Sequence, residues 1–301
     1  MTLTEFKYIV AVANEGHFGH AAEKCFVSQP SLSTAIKNLE DELGVQIFER
    51  GKREVIVTPA GNLVIQQART VLREAECVRL VANQGKDPFL GPFKLGIIHT
   101  VAPYLLPRLV ALLAESAPVM PLDIEENQTA NLDRMLREGS IEAAILSLPY
   151  EAPGIQVSPL YSEEFKAIVP AKHSWAKRRN IETGELSQEN LLLLSIGHCF
   201  RDQILDVCHE FIRTTPGKEG NSLETIRNMV ASGMGISVLP ASALTQAYSN
   251  PFVKAIPFSS PRPTRRIAIA CRETFPRQAV IECIQSLVPR LNLPVKSLKQ
   301  D

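Results

Sequence analysis

Leu3, Phe6, Ile9, Val10 and Ala13 recur at helical spacing behind the capping-box sequence Thr2-Leu3-Thr4-Glu5. This predicts a first helix that Glu15-Gly16 ends. A short second helix fits His20 to Cys25, with Ala21, Ala22 and Cys25 inward and Phe26-Val27 as a tight connection. A third opens at Ser28-Gln29-Pro30, where a first-turn proline costs no hydrogen bond. Leu32, Ile36, Leu39 and Leu43 form its apolar stripe, Gly44 closes it, and Pro30, Thr34, Lys37 and Asp41 face away. Val45 to Phe48 and Val55 to Val57 flank Arg50-Gly51-Lys52-Arg53 like the arms of a β-hairpin. Three helices with a tight second connection and a basic-tipped hairpin predict a winged helix-turn-helix. The same pattern also describes a small helical subdomain with a solvated charged loop.

A fourth helix is predicted from Thr58-Pro59-Ala60-Gly61 to about Asn83. Val64, Ala68, Val71, Ala75, Val78 and Ala82 alternate spacings of four and three, an a/d seam with alanine at half its positions. It serves either packing within the domain or dimerisation. Gly85-Lys86-Asp87-Pro88 marks a hinge.

From Phe93 the texture changes. Strands are predicted at Phe93–His99, Pro121–Glu126, Ala143–Ser147, Phe165–Val169, Leu191–Ile196 and Gly235–Pro240, with helices between them. Such alternation predicts an α/β part with mainly parallel sheets. In such sheets ligands bind where strand carboxyl ends meet helix N-termini. Three junctions of this kind stand out: Thr100, Thr129 and His198-Cys199. A threonine at such a place can also be a plain helix cap.

Charge adds little. The chain of 301 residues has 32 basic and 32 acidic side chains, so it lacks the globally basic character of the simplest nucleic-acid binders. Even the first 60 residues carry eight acidic groups against six basic ones. Any DNA contact there depends on where Lys37, Arg50, Lys52 and Arg53 point. Glu5 and Lys7 interrupt the first apolar run, and no stretch reaches the ~18 apolar residues of a membrane span. The expectation is a cytoplasmic protein with no membrane contact.

Six cysteines occur, at 25, 77, 199, 208, 271 and 283, with no zinc spacing among them. No metal or cofactor is expected. Cys199 falls at a predicted helix N-terminus beside His198 and Arg201, and the dipole and adjacent positive charge favour the reactive thiolate. Peroxide converts a thiolate to a sulfenic acid, which a second thiol condenses to a disulfide. Cys208 is the nearest second thiol. Nine helical residues separate Cα atoms by about 13 Å, whereas a disulfide needs roughly 4.4–6.8 Å. A bond between these two would therefore require the segment between them to reorder. From spacing alone, two unreacting thiols in an ordinary amphipathic helix are the favoured reading.

The chain resembles the LysR-type transcriptional regulators. In the head the resemblance rests on Phe18-Gly19-His20-Ala21-Ala22, Val27 to Ser33, Ile36 to Glu40, Glu42 to Arg50 and Thr58 to Gly61. Farther on, Gly197 to Gln203 with Cys208, Ser222 to Ala231, Gly235 to Pro240, Pro103 to Pro107 and Glu125 to Asn127 resemble the peroxide-sensing branch of that family.

The resemblance implies a winged helix-turn-helix domain over residues 1–60, a dimerising linker helix and hinge over 61–89, and a regulatory domain over 90–301. The last would have a periplasmic-binding-protein-like fold, with subdomain I at 90–162 plus 268–301 and subdomain II at 163–267. Gln29, Pro30, Ser31, Ser33, Thr34, Lys37, Arg50, Lys52 and Arg53 would meet double-stranded DNA. Thr34-Ala35 departs from the longer polar residue of many relatives, which leaves the base preference open.

Cys199 would meet hydrogen peroxide and Cys208 would resolve it, with Thr100, Thr129, His198 and Arg266 around the pocket and Arg201 and Asp202 supporting the thiolate and switch. A homodimer through the linker, a homotetramer and contact with RNA polymerase follow from the same resemblance. Two competitors remain: a regulator with a small organic effector in the crevice, and a thiol peroxidase. The expectation is a regulator rather than an enzyme.

Overall fold

The computed structural model describes residues 1–50, 55–84, 87–208 and 219–298, with the backbone alone at 50, 76, 77, 79–84 and 208. Lys52 and Arg53, two of the expected DNA contacts, and the side chains of Arg50, Cys77 and Cys208 lie outside the described residues. The chain divides into one unit of residues 1–87 with 137–140 and a second of residues 88–136 with 141–301.

In the first unit, α1 (Leu3–Glu15) starts at a capping box in which Thr2 and Glu5 satisfy each other's backbone N–H groups, and it stops at left-handed Gly16. The second helix, α2 (Phe18–Lys24), begins two residues earlier than the apolar pattern predicts. The His17 imidazole caps it, its Nδ1 accepting from Gly19 N–H at 3.0 Å. Then α3 (Gln29–Leu43) opens with Ser28 accepting from Ser31 N–H and Pro30 in its first turn. Strands β1 (Phe48–Arg50) and β2 (Val55–Val57) pair antiparallel. Glu40 fastens this wing to α3, its Oε1 accepting from the N–H groups of Ile47 at 2.7 Å and Phe48 at 3.0 Å.

The long helix α4 (Pro59–Gln84) leaves the wing at Gly61, where a Cβ would stand 2.2 Å from the Ile47 carbonyl oxygen. Ile65 and Ala68 enter the head core with Ile9, Leu32, Ile36 and Leu39, and Val64 and Val71 pack against it. The first half of the expected seam thus serves its own domain, while Val78 is exposed.

The second unit is built on a mixed sheet. Strands β3 (Phe93–Ile98), β4 (Leu122–Asn127) and β5 (Ala143–Ser147) alternate with helices α5 (Ala102–Ser116) and α6 (Thr129–Glu138). The long strand β6 (Ile155–Pro170) follows, then short β7 (Leu193–Leu194), α7 (Cys199–Cys208), β8 (Glu219–Gly220) and α8 (Leu223–Ala231). Strands β9 (Ser237–Pro240), β10 (Val253–Pro257) and β11 (Thr264–Arg272), helix α9 (Gln278–Leu287) and β12 (Lys296–Ser297) complete it.

The sheet order is β10-β6-β11-β5-β3-β4, with β9 and β12 also on β6. Among the named strands, parallel pairing is confined to β3 with β4 and β5, and β7 with β8. All other pairs are antiparallel, so the sheet is mixed rather than mainly parallel. The reason is that β6 and β11 run side by side from Ile155↔Arg272 to Glu164↔Thr264 and feed both halves of the unit. One core gathers around β3, β5, α5 and α9, and another around Phe165, Leu191–Leu194, α7 and α8. Leu191 to Ile196, predicted as one strand, keeps only Leu193–Leu194 as β7, with Leu191 in an isolated bridge to Ile236.

Candidate functional site

Three segments far apart in sequence converge. The turn after β3 supplies His99 and Thr100, the start of α6 supplies Gln128 and Thr129, and the loop into α7 supplies Gly197, His198 and Cys199. They enclose a space of only about 10 Å³, room for one water-sized molecule. Gly197 is needed at the entrance to α7. Its φ is 100°, and a Cβ would press into the Gln128 side chain at 2.8 Å.

Neither threonine acts as a plain helix cap. The Thr100 hydroxyl is buried and accepts from Arg265 Nη1 at 3.0 Å, while Arg265 Nη2 holds the Thr100 carbonyl at 3.0 Å. With that acceptor site filled from behind, its O–H proton is left for another acceptor. The Thr129 Oγ1 is buried with no partner, although its residue begins α6. A buried hydroxyl without a partner is costly, and such a group at a pocket wall is satisfied by what enters the pocket.

Arg265 is itself held from two sides. Its Nε donates to Glu163 Oε1 at 2.9 Å, and both side chains of this ion pair are fully buried. Glu163 Oε2 accepts from Ser242 N–H at 3.0 Å. The guanidinium carbon lies 5.0 Å from the centre of the Phe200 ring, and Phe200 follows Cys199. This chain fixes Thr100 against the start of α7.

The expected pocket arginine, Arg266, is not at this wall. Side chains alternate across a strand, so neighbours on β11 point to opposite faces. Arg265 takes the buried face and Arg266 the exposed one. Arg266 instead borders a second cavity of about 430 Å³ with Pro149, Gln203 and Asp206.

Cys199 is half-buried, a free thiol at the first position of α7, packed against the core around β3 and β5. Helix α7 is continuous from Cys199 to Cys208, so its nine-residue rise of ~13 Å keeps the two Cα atoms beyond disulfide reach. Both neighbours expected to support the thiolate are engaged by other groups. Burial pushes the His198 imidazole below its ordinary pKa, and His99, whose ring centre lies 5.5 Å away, adds to the shift. His198 is therefore neutral at pH 7. Arg201 donates to the Leu194 carbonyl and Glu219, both at 2.7 Å. It ties the first turn of α7 to β7 and β8. Asp202 is exposed. What remains near the sulfur is the positive end of α7.

Sequence reading missed Gln203. Its Nε2 donates to Ser147 Oγ at 2.8 Å and the Leu148 carbonyl at 3.0 Å, clasping α7 to the end of β5. The only sequence signal was its place in Arg201-Asp202-Gln203. Among the other cysteines, burial raises the thiol pKa of Cys25, Cys271 and Cys283, which keeps them protonated and inert. Among the described residues no group of three or more His, Cys, Asp or Glu side chains is placed to hold a metal ion, and no helix is long and apolar enough to cross a membrane.

In the head, Gln29, Pro30, Ser31, Thr34 and Lys37 are exposed along one side of α3, and Ser33 is half-buried. Ser31 also shares a hydrogen bond of 2.8 Å with Ser28 at the helix cap.

Residues 3–62 match the family described as bacterial regulatory helix-turn-helix protein, lysR family, and residues 86–291 match the LysR substrate binding domain. The chain is 40% identical over 277 residues to the hydrogen peroxide-inducible genes activator of Dickeya chrysanthemi, covering 92% of this chain and 91% of that one. Full-length OxyR C199D from Pseudomonas aeruginosa is 44% identical, with a TM-score of 0.84 over 100% of this chain and 99% of that chain. A hydrogen-peroxide-bound mutant of OxyR from Corynebacterium glutamicum is 37% identical, with a TM-score of 0.67 over 96% of this chain and 92% of that chain.

Proposed function

Because the chain belongs to the LysR family of transcriptional regulators, and within it to the OxyR group of hydrogen peroxide-inducible genes activators, we propose that it is a peroxide-sensing, DNA-binding regulator switched at Cys199 and Cys208. The observation that carries this reading is the size and lining of the space at Cys199. At about 10 Å³ the space is of the size that holds a single water, far below the roughly 300 Å³ or more of pockets for organic effectors, which favours a very small ligand such as peroxide. The hydroxyls of Thr100 and Thr129 are the groups to hold the two peroxide oxygens beside the sulfur.

The chemistry balances without a cofactor. The Cys199 thiolate attacks one peroxide oxygen, the O–O bond breaks, and the departing hydroxide takes a proton to leave as water. The product is a sulfenic acid. The Cys208 thiolate then attacks that sulfur, an S–S bond forms, and the hydroxyl departs as a second water. The second step needs α7 to unwind, because its helical form holds the partners about 13 Å apart. Release of the Gln203 clasp and the Arg201 ties would accompany it. The disulfide would thereby trap a second arrangement of the regulatory domain.

The remaining assignments follow from this reading. Residues 1–60 form the DNA-binding head, 61–89 the dimerising linker, and 90–301 the sensor, with subdomains at 90–162 plus 268–301 and 163–267. Gln29, Pro30, Thr34 and Lys37 face the operator from α3, joined by Arg50, Lys52 and Arg53 at the wing. A homodimer, assembling to a tetramer, presents the heads to double-stranded DNA and to RNA polymerase in the cytoplasm. The test is transcription from a bound promoter under submillimolar hydrogen peroxide. Cys199→Ser should abolish the response, and a retained response sinks the reading.

One observation favours a second reading, an organic effector. The cavity of about 430 Å³ behind α7, bordered by Gln203, Asp206 and Arg266, has effector dimensions. A thermal shift with small carboxylates but none with peroxide would favour it.

A further inference from the structure

Helix α2 ends in a Schellman motif. The Phe26 N–H donates to the Glu23 carbonyl at 3.1 Å, and the Val27 N–H donates to the Ala22 carbonyl at 3.0 Å. This closure needs a left-handed residue after the cap, and Phe26 fills the place with φ 55°. Glycine or asparagine suits such backbone, whereas an aromatic residue there is strained. The other non-glycine residue with positive φ among the described residues is an asparagine, Asn292.

Burial gives nothing back for that strain. Phe26 is 95% exposed, more than any other large hydrophobic side chain among the described residues. It does not join the head core, although its neighbours Cys25 and Val27 pack against it. Neither backbone preference nor packing accounts for a phenylalanine here.

Its place in the fold does. Phe26 stands on the turn between α2 and α3, two residues ahead of the Ser28 cap and beside the exposed first turn Gln29-Pro30-Ser31. In helix-turn-helix domains that first turn approaches base edges in the major groove. The ring on the connecting turn stands beside that face of the head. The ring has no donor for a phosphate, but it matches apolar nucleotide surface. The head's excess of acidic over basic side chains also leaves it short of phosphate attraction.

We propose that Phe26 is a DNA-contacting residue whose ring packs on the apolar surface of a nucleotide, a thymine methyl or a deoxyribose face, beside the groove entered by α3. The proposal rests on the DNA-binding role of the head.

The test uses the full-length reduced protein and a duplex that the wild type selects from a random-sequence pool. Phe26→Asn and Phe26→Gly relieve the left-handed strain, so their melting temperatures should equal or exceed that of the wild type. Their affinity for the duplex should nevertheless fall by about tenfold. The slope of affinity against salt should stay unchanged, because no phosphate contact is lost. Phe26→Tyr should bind within about twofold of the wild type, since it keeps the ring.

Replacing thymine by uracil base by base assigns the contact. A loss at one position that Phe26→Asn no longer feels marks the methyl, and no such position marks the sugar. Affinity of Phe26→Asn within about twofold of the wild type overturns the proposal. So does a loss that appears only with a lowered melting temperature or a changed oligomeric mass. A wild type that selects no duplex overturns the DNA-binding role itself, and this proposal with it.

Discussion

Arg265 holds Thr100 at both its hydroxyl and its carbonyl, with each hydrogen bond 3.0 Å long, while its Nε pairs with Glu163 in a site closed to solvent. One buried arginine thereby positions a pocket hydroxyl and neutralises a buried carboxylate. Arg265→Met should destabilise the protein by about 3–5 kcal/mol, because Glu163 is left charged, buried and unpaired. Glu163→Gln in the same chain should restore most of that loss, since glutamine still accepts from Ser242. The restored double variant should oxidise Cys199 at least about tenfold more slowly than the wild type, as Thr100 loses its hold. Arg266→Met should leave both melting temperature and oxidation rate near the wild-type values. A slow Arg266→Met and a fast double variant would reverse the assignment.

Thr129 tests the pocket from its other wall. Its hydroxyl is buried without a partner. Thr129→Val removes an unsatisfied group at nearly constant volume, so stability should hold or rise by up to about 1 kcal/mol. The rate of Cys199 sulfenic acid formation should fall by about tenfold, because the hydroxyl's contribution is realised only with peroxide present. Chemical denaturation and a sulfenate-trapping assay measure the two. Lower stability with an unchanged rate would make Thr129 a structural residue.

His198 gives a pH signature. Its folded pKa is depressed by burial and then by His99, so the unfolded chain binds a proton more readily than the folded one. Stability is therefore full above the ordinary histidine value of about 6.5 and declines as pH falls below it, until the depressed folded pKa is passed. His198→Asn should flatten this decline, which thermal melts between about pH 7.5 and 5 would register. A decline equally steep in His198→Asn assigns it to other groups.

Gln203 separates the two chemical steps. It binds Ser147 and Leu148 across from α7, and it does not line the small pocket. Gln203→Leu removes two hydrogen bonds, worth about 1 kcal/mol each, from the helical form alone. The first step, sulfenic acid formation, should keep its rate. The second, disulfide closure, should accelerate several-fold because unwinding α7 becomes easier. Stopped-flow fluorescence with mass spectrometry resolves the phases. An altered first phase with an unaltered second would contradict the clasp.

What the residues decide locally was legible in the chain. Thr2 and Glu5 cap α1, Ser28 caps α3, and Gly16 and Gly44 stop their helices, because caps are made by groups three or four residues apart. The helical period of the first 45 residues and the placing of Thr100, Thr129 and Cys199 at strand-to-helix junctions follow from equally local rules. So does the incompatibility of a helical α7 with a Cys199–Cys208 bond, which is helix geometry alone.

Tertiary structure decided what depends on long-range register and on who stands opposite. The order Arg265-Arg266 is silent on which arginine is buried until β11 is aligned on β6, with a register shift at Ile267/Ala268. His198 sits beside Cys199 in sequence, but only the fold shows that burial, and then His99 from the turn after β3, push its pKa down and disfavour its charge. Arg201 reads as a partner of its neighbour Cys199, but in the fold its guanidinium pairs with Glu219. Even the mixed sheet follows from two distant strands that run through both halves of the sensor. Periodicity and caps act within a few residues and can be read one segment at a time. Charge state, pocket volume and partner choice depend on atoms that only the folded chain brings together.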